Sequence, residues 1–104
     1  MTAGKYDQLI QFQSARNIQT GFGSELSWSD DFESWAKVKP ETSVETFEDD
    51  HYFVKTIYTV KVPYQPQIDN SLRIAWNDKV LEIKHAQAVI EWRETILTCV
   101  GISS

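Results

Sequence analysis

The sequence predicts a mainly β fold: a small antiparallel barrel or sandwich of about six strands, with one short helix and one long loop. Three observations predict it. Apolar and polar residues alternate in segment after segment, the period of a strand with one buried face. The connectors are mostly of hairpin size. With 104 residues there is room for one core, and closing a sheet on itself removes its exposed edges. The chain therefore reads as one domain over residues 1–104.

The elements follow in order. Gln8 to Gln13 is a half-buried strand, because Ile10 and Phe12 alternate with glutamines. Ser14 to Asp31 is polar and carries Gly21-Phe22-Gly23-Ser24, so it reads as a long glycine-tipped loop. Phe22 at that tip calls for a partner surface. Phe32 to Lys39 is a second strand, with Ala36 and Val38 on one face and Trp35, Lys37 and Lys39 on the other. Pro40 ends it, since proline cannot donate to a ladder. Thr42-Ser43-Val44-Glu45 fits a capping box, which predicts a short helix from about Ser43 to Asp50 docked by Val44 and Phe47.

Tyr52 to Val62 is the clearest strand, with Tyr52, Val54, Thr56, Tyr58, Val60 and Val62 on one face. Pro63-Tyr64-Gln65-Pro66 turns the chain, and Leu72 to Trp76 is a fourth strand. Asn77-Asp78 is a two-residue hairpin turn. Val80 to Ile90 and Thr95 to Ile102 are the fifth and sixth strands, joined through Glu91-Trp92-Arg93-Glu94. Trp35 and Trp76 should pack in or beside the core. Trp28 and Trp92 fall in predicted turns, where an indole suits an interface.

Composition narrows the function. The chain is 41% hydrophobic and 24% charged, an ordered composition rather than a disordered one. No apolar run approaches the roughly 18 residues of a membrane span. The first seven residues, Met1 to Asp7, lack the apolar core of a signal peptide. The single cysteine, Cys99, excludes an internal disulfide and a multi-cysteine zinc site, and the expected setting is a reducing cytoplasm. A net charge of −5 argues against gripping phosphate as the main task. The charge is uneven: residues 24–50 hold nine acids against Lys37 and Lys39, a net −7, and the remainder is +2. Such a chain can pair with copies of itself, zone to remainder, unless the acids are simply solvated.

Little in the sequence carries catalytic chemistry. Glu48-Asp49-Asp50-His51 is a run in which neighbours point in different directions, so it does not chelate by itself. His85 lies in a strand without a partner in sequence, and Cys99 alternates with Leu97 as a core residue. Gly21-x-Gly23 is not a phosphate loop. No catalytic residue, metal ligand or cofactor is predicted. A single-stranded nucleic-acid-binding barrel is the alternative reading, resting on Phe53, Lys55, Ile57 and Lys61 with Tyr64 beyond them.

The order of these features resembles the bacteriophage head–tail joining family, the head–tail adaptor and head-closure proteins. Ala3-Gly4-Lys5 leads into Leu9-Ile10-Gln11-Phe12-Gln13; then come Gly21-Phe22-Gly23-Ser24-Glu25 and Trp28. Trp35-Ala36-Lys37-Val38-Lys39-Pro40 is similar to that family's Trp-Ala-x-Val-x-Pro. The strand Thr56 to Val62 follows, then Leu72-Arg73-Ile74-Ala75-Trp76 running through Asn77-Asp78 to Ile83, which looks like the family's Arg-Ile hairpin. Nearly the whole chain is covered. Asp7-Gln8, where the family favours Arg or His, and Lys55-Thr56-Ile57-Tyr58 depart from the pattern.

The resemblance implies structural work without catalysis. Such proteins assemble as a ring, join the DNA-filled head to the tail, and in some cases close the channel with a loop. Their partners are a portal or adaptor protein, a tail-completion protein and further copies of themselves; some are monomeric alone. Double-stranded DNA passes without specific binding, and no membrane is involved. The location implied is the virion connector, with assembly in the host bacterial cytoplasm. On this chain the implied channel loop carries Phe22, Gly23, Glu25, Trp28, Asp30 and Asp31. The implied docking surface carries Glu45, Glu48, Asp49, Asp50 and Trp92.

Overall fold

The computed structural model describes residues 6–103; Ala3-Gly4-Lys5 and the rest of the first five residues lie outside them. Among the described residues six strands form one closed antiparallel sheet. They are β1 (Gln8–Thr20), β2 (Gly23–Glu48), β3 (His51–Pro63), β4 (Arg73–Trp76), β5 (Lys79–Val89) and β6 (Glu94–Ser103). Their order around the barrel is β1-β2-β3-β6-β5-β4.

The core follows the alternation in the sequence. Ile10, Phe12, Ala36, Tyr58, Val60, Val62, Ile74, Leu81, Ile83, Leu97 and Cys99 point inward and are buried. Phe12 stacks on Phe32 with centroids 4.7 Å apart. Trp76 packs against the core, edge-on to Tyr58 at 5.9 Å. On β5 the register slips between Ile83 and His85, which returns Ala86 to the inward face. Asn77 and Asp78 turn the β4–β5 hairpin with φ of 54° and 64°, the left-handed pair of a type I′ turn.

Two predicted elements are corrected. Residues 43–48 are strand, not helix, and pair with β3 from Ser43↔Thr56 to Glu48↔His51. Thr42 and Glu45 therefore do not form a capping box. Val44, Thr46 and Phe47 suit a strand, and β3 supplies a ladder that a two-turn helix could not match. Pro40 does not end β2; it sits at a register slip between Pro40 and Thr42, where a missing N–H is tolerated. Val44 and Phe47 do not dock on the core but are exposed, and the irregular stretch after Pro63 instead contributes Ile68 and Leu72 to it.

The long loop is likewise a strand pair. Residues 14–20 of β1 pair with residues 23–29 of β2, and Gly21-Phe22 is a two-residue turn. Trp28 therefore lies within β2, while Trp92 sits in a short 3-10 turn, Ile90–Trp92. Trp35 faces outward and is half exposed rather than packed in the core.

Candidate functional site: two ribbons at opposite ends of the barrel

β2 exchanges partners along its length. Gly23 to Ala36 pair with β1, and Lys37 to Glu48 pair with β3. A straight strand of 26 residues would span about 80 Å, but the longest dimension of the molecule is 50 Å. β2 therefore bends, and each register slip leaves one extra residue, Asp31 or Glu41.

The two ends of β2 become two-stranded ribbons. β4 reaches β1 only at Gln11 to Gln13, so β1 beyond Gln13 pairs with β2 alone. β6 reaches β3 from Val54 onward, so the Glu48–His51 end pairs within its own hairpin. β1 and β3 both run antiparallel to β2 and hence parallel to each other. β1 ends at the first ribbon's tip, and β3 begins at the second's. The ribbons thus project from opposite ends of the barrel.

The first ribbon carries Phe22, Gly23, Glu25, Trp28, Asp30 and Asp31. Phe22 at the tip is fully exposed. Gly23 has φ +128°, a conformation that disfavours any side chain. The Thr20 hydroxyl accepts from the Phe22 N–H at 3.2 Å and donates to the Gly23 carbonyl at 3.1 Å. At the ribbon's base Gln13 Nε2 donates to Asp30 Oδ1 at 2.9 Å, and Arg73 Nε donates to Gln13 Oε1 at 2.7 Å.

The second ribbon carries Glu45, Glu48, Asp49 and Asp50. Asp49 and Asp50 form its turn with φ of 50° and 61°. Phe47 and Tyr52 face each other across it, centroids 4.6 Å apart, and both are exposed. Trp92 is not part of this surface. It lies in the β5–β6 turn, at the end where β3 finishes, because Pro63 pairs with Glu94. The acidic zone is thus divided between two poles. Alternation of residue type does not report which end of a barrel a turn occupies.

Elsewhere, His85 lies beside Tyr64, Asp69 and Thr95 in a depression of about 360 Å³. The Ser71 hydroxyl and N–H donate to Asp69 and hold its carboxyl below the usual range. Burial pushes the Cys99 thiol up to about 12. Among the described residues no three of His, Cys, Asp and Glu gather to hold a metal ion, and the Glu48-to-His51 run is no exception.

A closed six-stranded barrel with polar ribbons at its two ends is an architecture suited to reaching neighbours. Its family is shown directly: the chain belongs to the phage head completion proteins, whose family model matches residues 1–100. It is accordingly a structural virion protein at the head–tail level. A chain in the virion of a native gene transfer agent particle has the same fold. Its TM-score is 0.77 at 17% identity, over 94% of each chain. A Shigella flexneri 2a protein solved in solution matches with TM-score 0.70 and 15% identity, over 97% of this chain and 96% of that one. No curated protein matches.

Proposed function

We propose that this protein assembles as a ring at the portal vertex and joins the DNA-filled head to the tail without catalysis. The observation that carries this reading is the polarity of the molecule, set beside its family. A ring needs heterologous contacts, one face against a different face of the next subunit. The two ribbons give the barrel two unlike ends. The partners are a portal or adaptor protein on one side and a tail-completion protein on the other. In the finished connector, Glu25, Asp30 and Asp31 border the DNA path, where like charge keeps phosphate from sticking as the duplex passes. Phe22 and Gly23 at the tip can narrow that path, and Trp28 anchors the ribbon that carries them. The second ribbon, with Glu45, Glu48, Asp49 and Asp50, and Trp92 at the other pole, serve as docking points.

The test uses DNA-filled heads that lack the chain. Purified protein should bind them in several copies and make them competent to take tails. A variant with Ser14 to Asp30 replaced by a short turn should keep its thermal transition and fail to join. Normal joining by that variant would remove the first ribbon from the mechanism, and single-copy binding would end the ring reading.

A further inference from the structure

Lys37 and Lys61 are directly opposed across β2 and β3 on the outer face of the barrel. Like charges in that position repel. Neither lysine has a carboxylate within ion-pair distance among the described residues, whereas nearby Lys39 is 3.5 Å from Glu41. Beside Lys37 stands Trp35, half exposed. Lys37 is also the residue at which β2 leaves β1, so among the described residues no strand pairs with it on that side. A barrel that otherwise spends its acids along β2 thus leaves a two-lysine spot with an indole at its rim.

We propose that this spot receives the Glu48-Asp49-Asp50 turn of a second copy of the chain. The inference rests on the ring reading and specifies its subunit contact. Size and charge favour that occupant over a nucleic acid. Along the same strand the spot is flanked by the acid Glu33 on one side and by the mutually paired Lys39 and Glu41 on the other, so the uncompensated positive charge is confined to two side chains and matches one compact acidic turn better than an extended polyanion. The turn itself is exposed, carries three consecutive acids and projects beyond the barrel. Donor and acceptor lie on different faces of the molecule, so the contact repeats head to tail, as a ring requires. Phosphate-free complementarity of this kind sets register and partner choice.

The experiment is a charge exchange in the full chain, read on heads that lack it. One variant carries Lys37→Glu and Lys61→Glu. The other carries Glu48→Lys, Asp49→Asn and Asp50→Asn, because asparagine tolerates the positive φ at 49 and 50. Each alone should lower joining at least tenfold while its thermal transition stays within a few degrees of the parent. Both sets in one chain should recover most of the loss. Independently, Lys61→Cys with Asp50→Cys, treated with oxidised glutathione as the electron acceptor, should give a ladder of disulfide-linked subunits on heads; buried Cys99 stays silent. No ladder, with parental joining by both charge variants, overturns the contact; several copies per head would leave the ring reading standing. Loss of duplex DNA binding by Lys37→Glu/Lys61→Glu, without rescue by the turn variant, overturns it in favour of DNA.

Discussion

The Arg73 guanidinium lies 4.5 Å from the centre of the Trp28 ring. The same side chain donates to Gln13 at 2.7 Å, and Gln13 in turn donates to Asp30. Arg73 belongs to β4, the last strand to touch β1 before the first ribbon leaves the barrel. One cation therefore ties the base of the ribbon to the body.

Removing that tie should loosen the ribbon more than the barrel. A cation–π contact of this exposure contributes about 0.5–1 kcal/mol. Arg73→Ala should speed amide exchange across Ser14 to Thr20 at least severalfold while core amides on β3 and β6 stay protected. Equal acceleration in both would show that the ribbon and barrel open together.

The glycines separate conformational strain from crowding. A Cβ at Gly101 would lie 2.9 Å from Leu81 Cδ2 and 3.2 Å from Tyr58 Cε2. Gly101→Ala should therefore cost about 1–3 kcal/mol of global stability by overpacking, measured by urea unfolding. A Cβ at Gly23 meets nothing, but φ there is +128°. Gly23→Ala should disturb the ribbon tip and leave the urea midpoint nearly unchanged. Gly21 has open space and no positive φ, so Gly21→Ala should be silent in both measurements.

Cys99 predicts a pH window. Burial raises its thiol from an ordinary 9.0 to about 12. Between those values the unfolded chain gives up the proton and the folded chain keeps it. Its contribution to stability is thus complete below pH 9 and falls as pH rises toward 12. Urea titrations of the parent and Cys99→Ala should converge over that interval, and a thiol reagent at pH 8 should react only after denaturation. Rapid labelling of the folded protein would contradict the burial.

The Asn77-Asp78 turn offers a stabilising change. Asp78 has φ 64°, a region that glycine enters without penalty. Asp78→Gly should raise the melting temperature by a few degrees, because relief of the left-handed backbone strain outweighs the extra freedom that glycine gives the unfolded chain. A fall would mean that the aspartate side chain supports the turn.

Much of the barrel was legible from local alternation. Tyr58, Val60 and Val62 share the buried face that their spacing assigns, Cys99 is inward beside Leu97, and Asn77-Asp78 turns a hairpin. Those features depend on one buried face per strand, and burial writes itself into every second residue. Residues 14–31 and 42–50 left no such record. Both are ribbons open to solvent on two sides, so their sequences are polar or mixed and imitate a loop and a helix cap. What makes them strands is pairing with a segment elsewhere in the chain, as Asn17 finds Leu26 and Glu45 finds Val54.

The sequence alone therefore determined the class of fold, the inward faces of the barrel strands and the likeness to a phage family, because these rest on periodicity and on motif order, whereas the exposure of Trp35 and the burial of Ile68 did not show in it. The tertiary structure decided that β2 changes partners at Lys37, that the acids divide between two poles, and that Lys61 meets Lys37. The physical reason is that strand pairing is a contact between distant residues. Backbone hydrogen bonds form the same ladder for almost any side chain, so register and direction emerge only when the sheet closes.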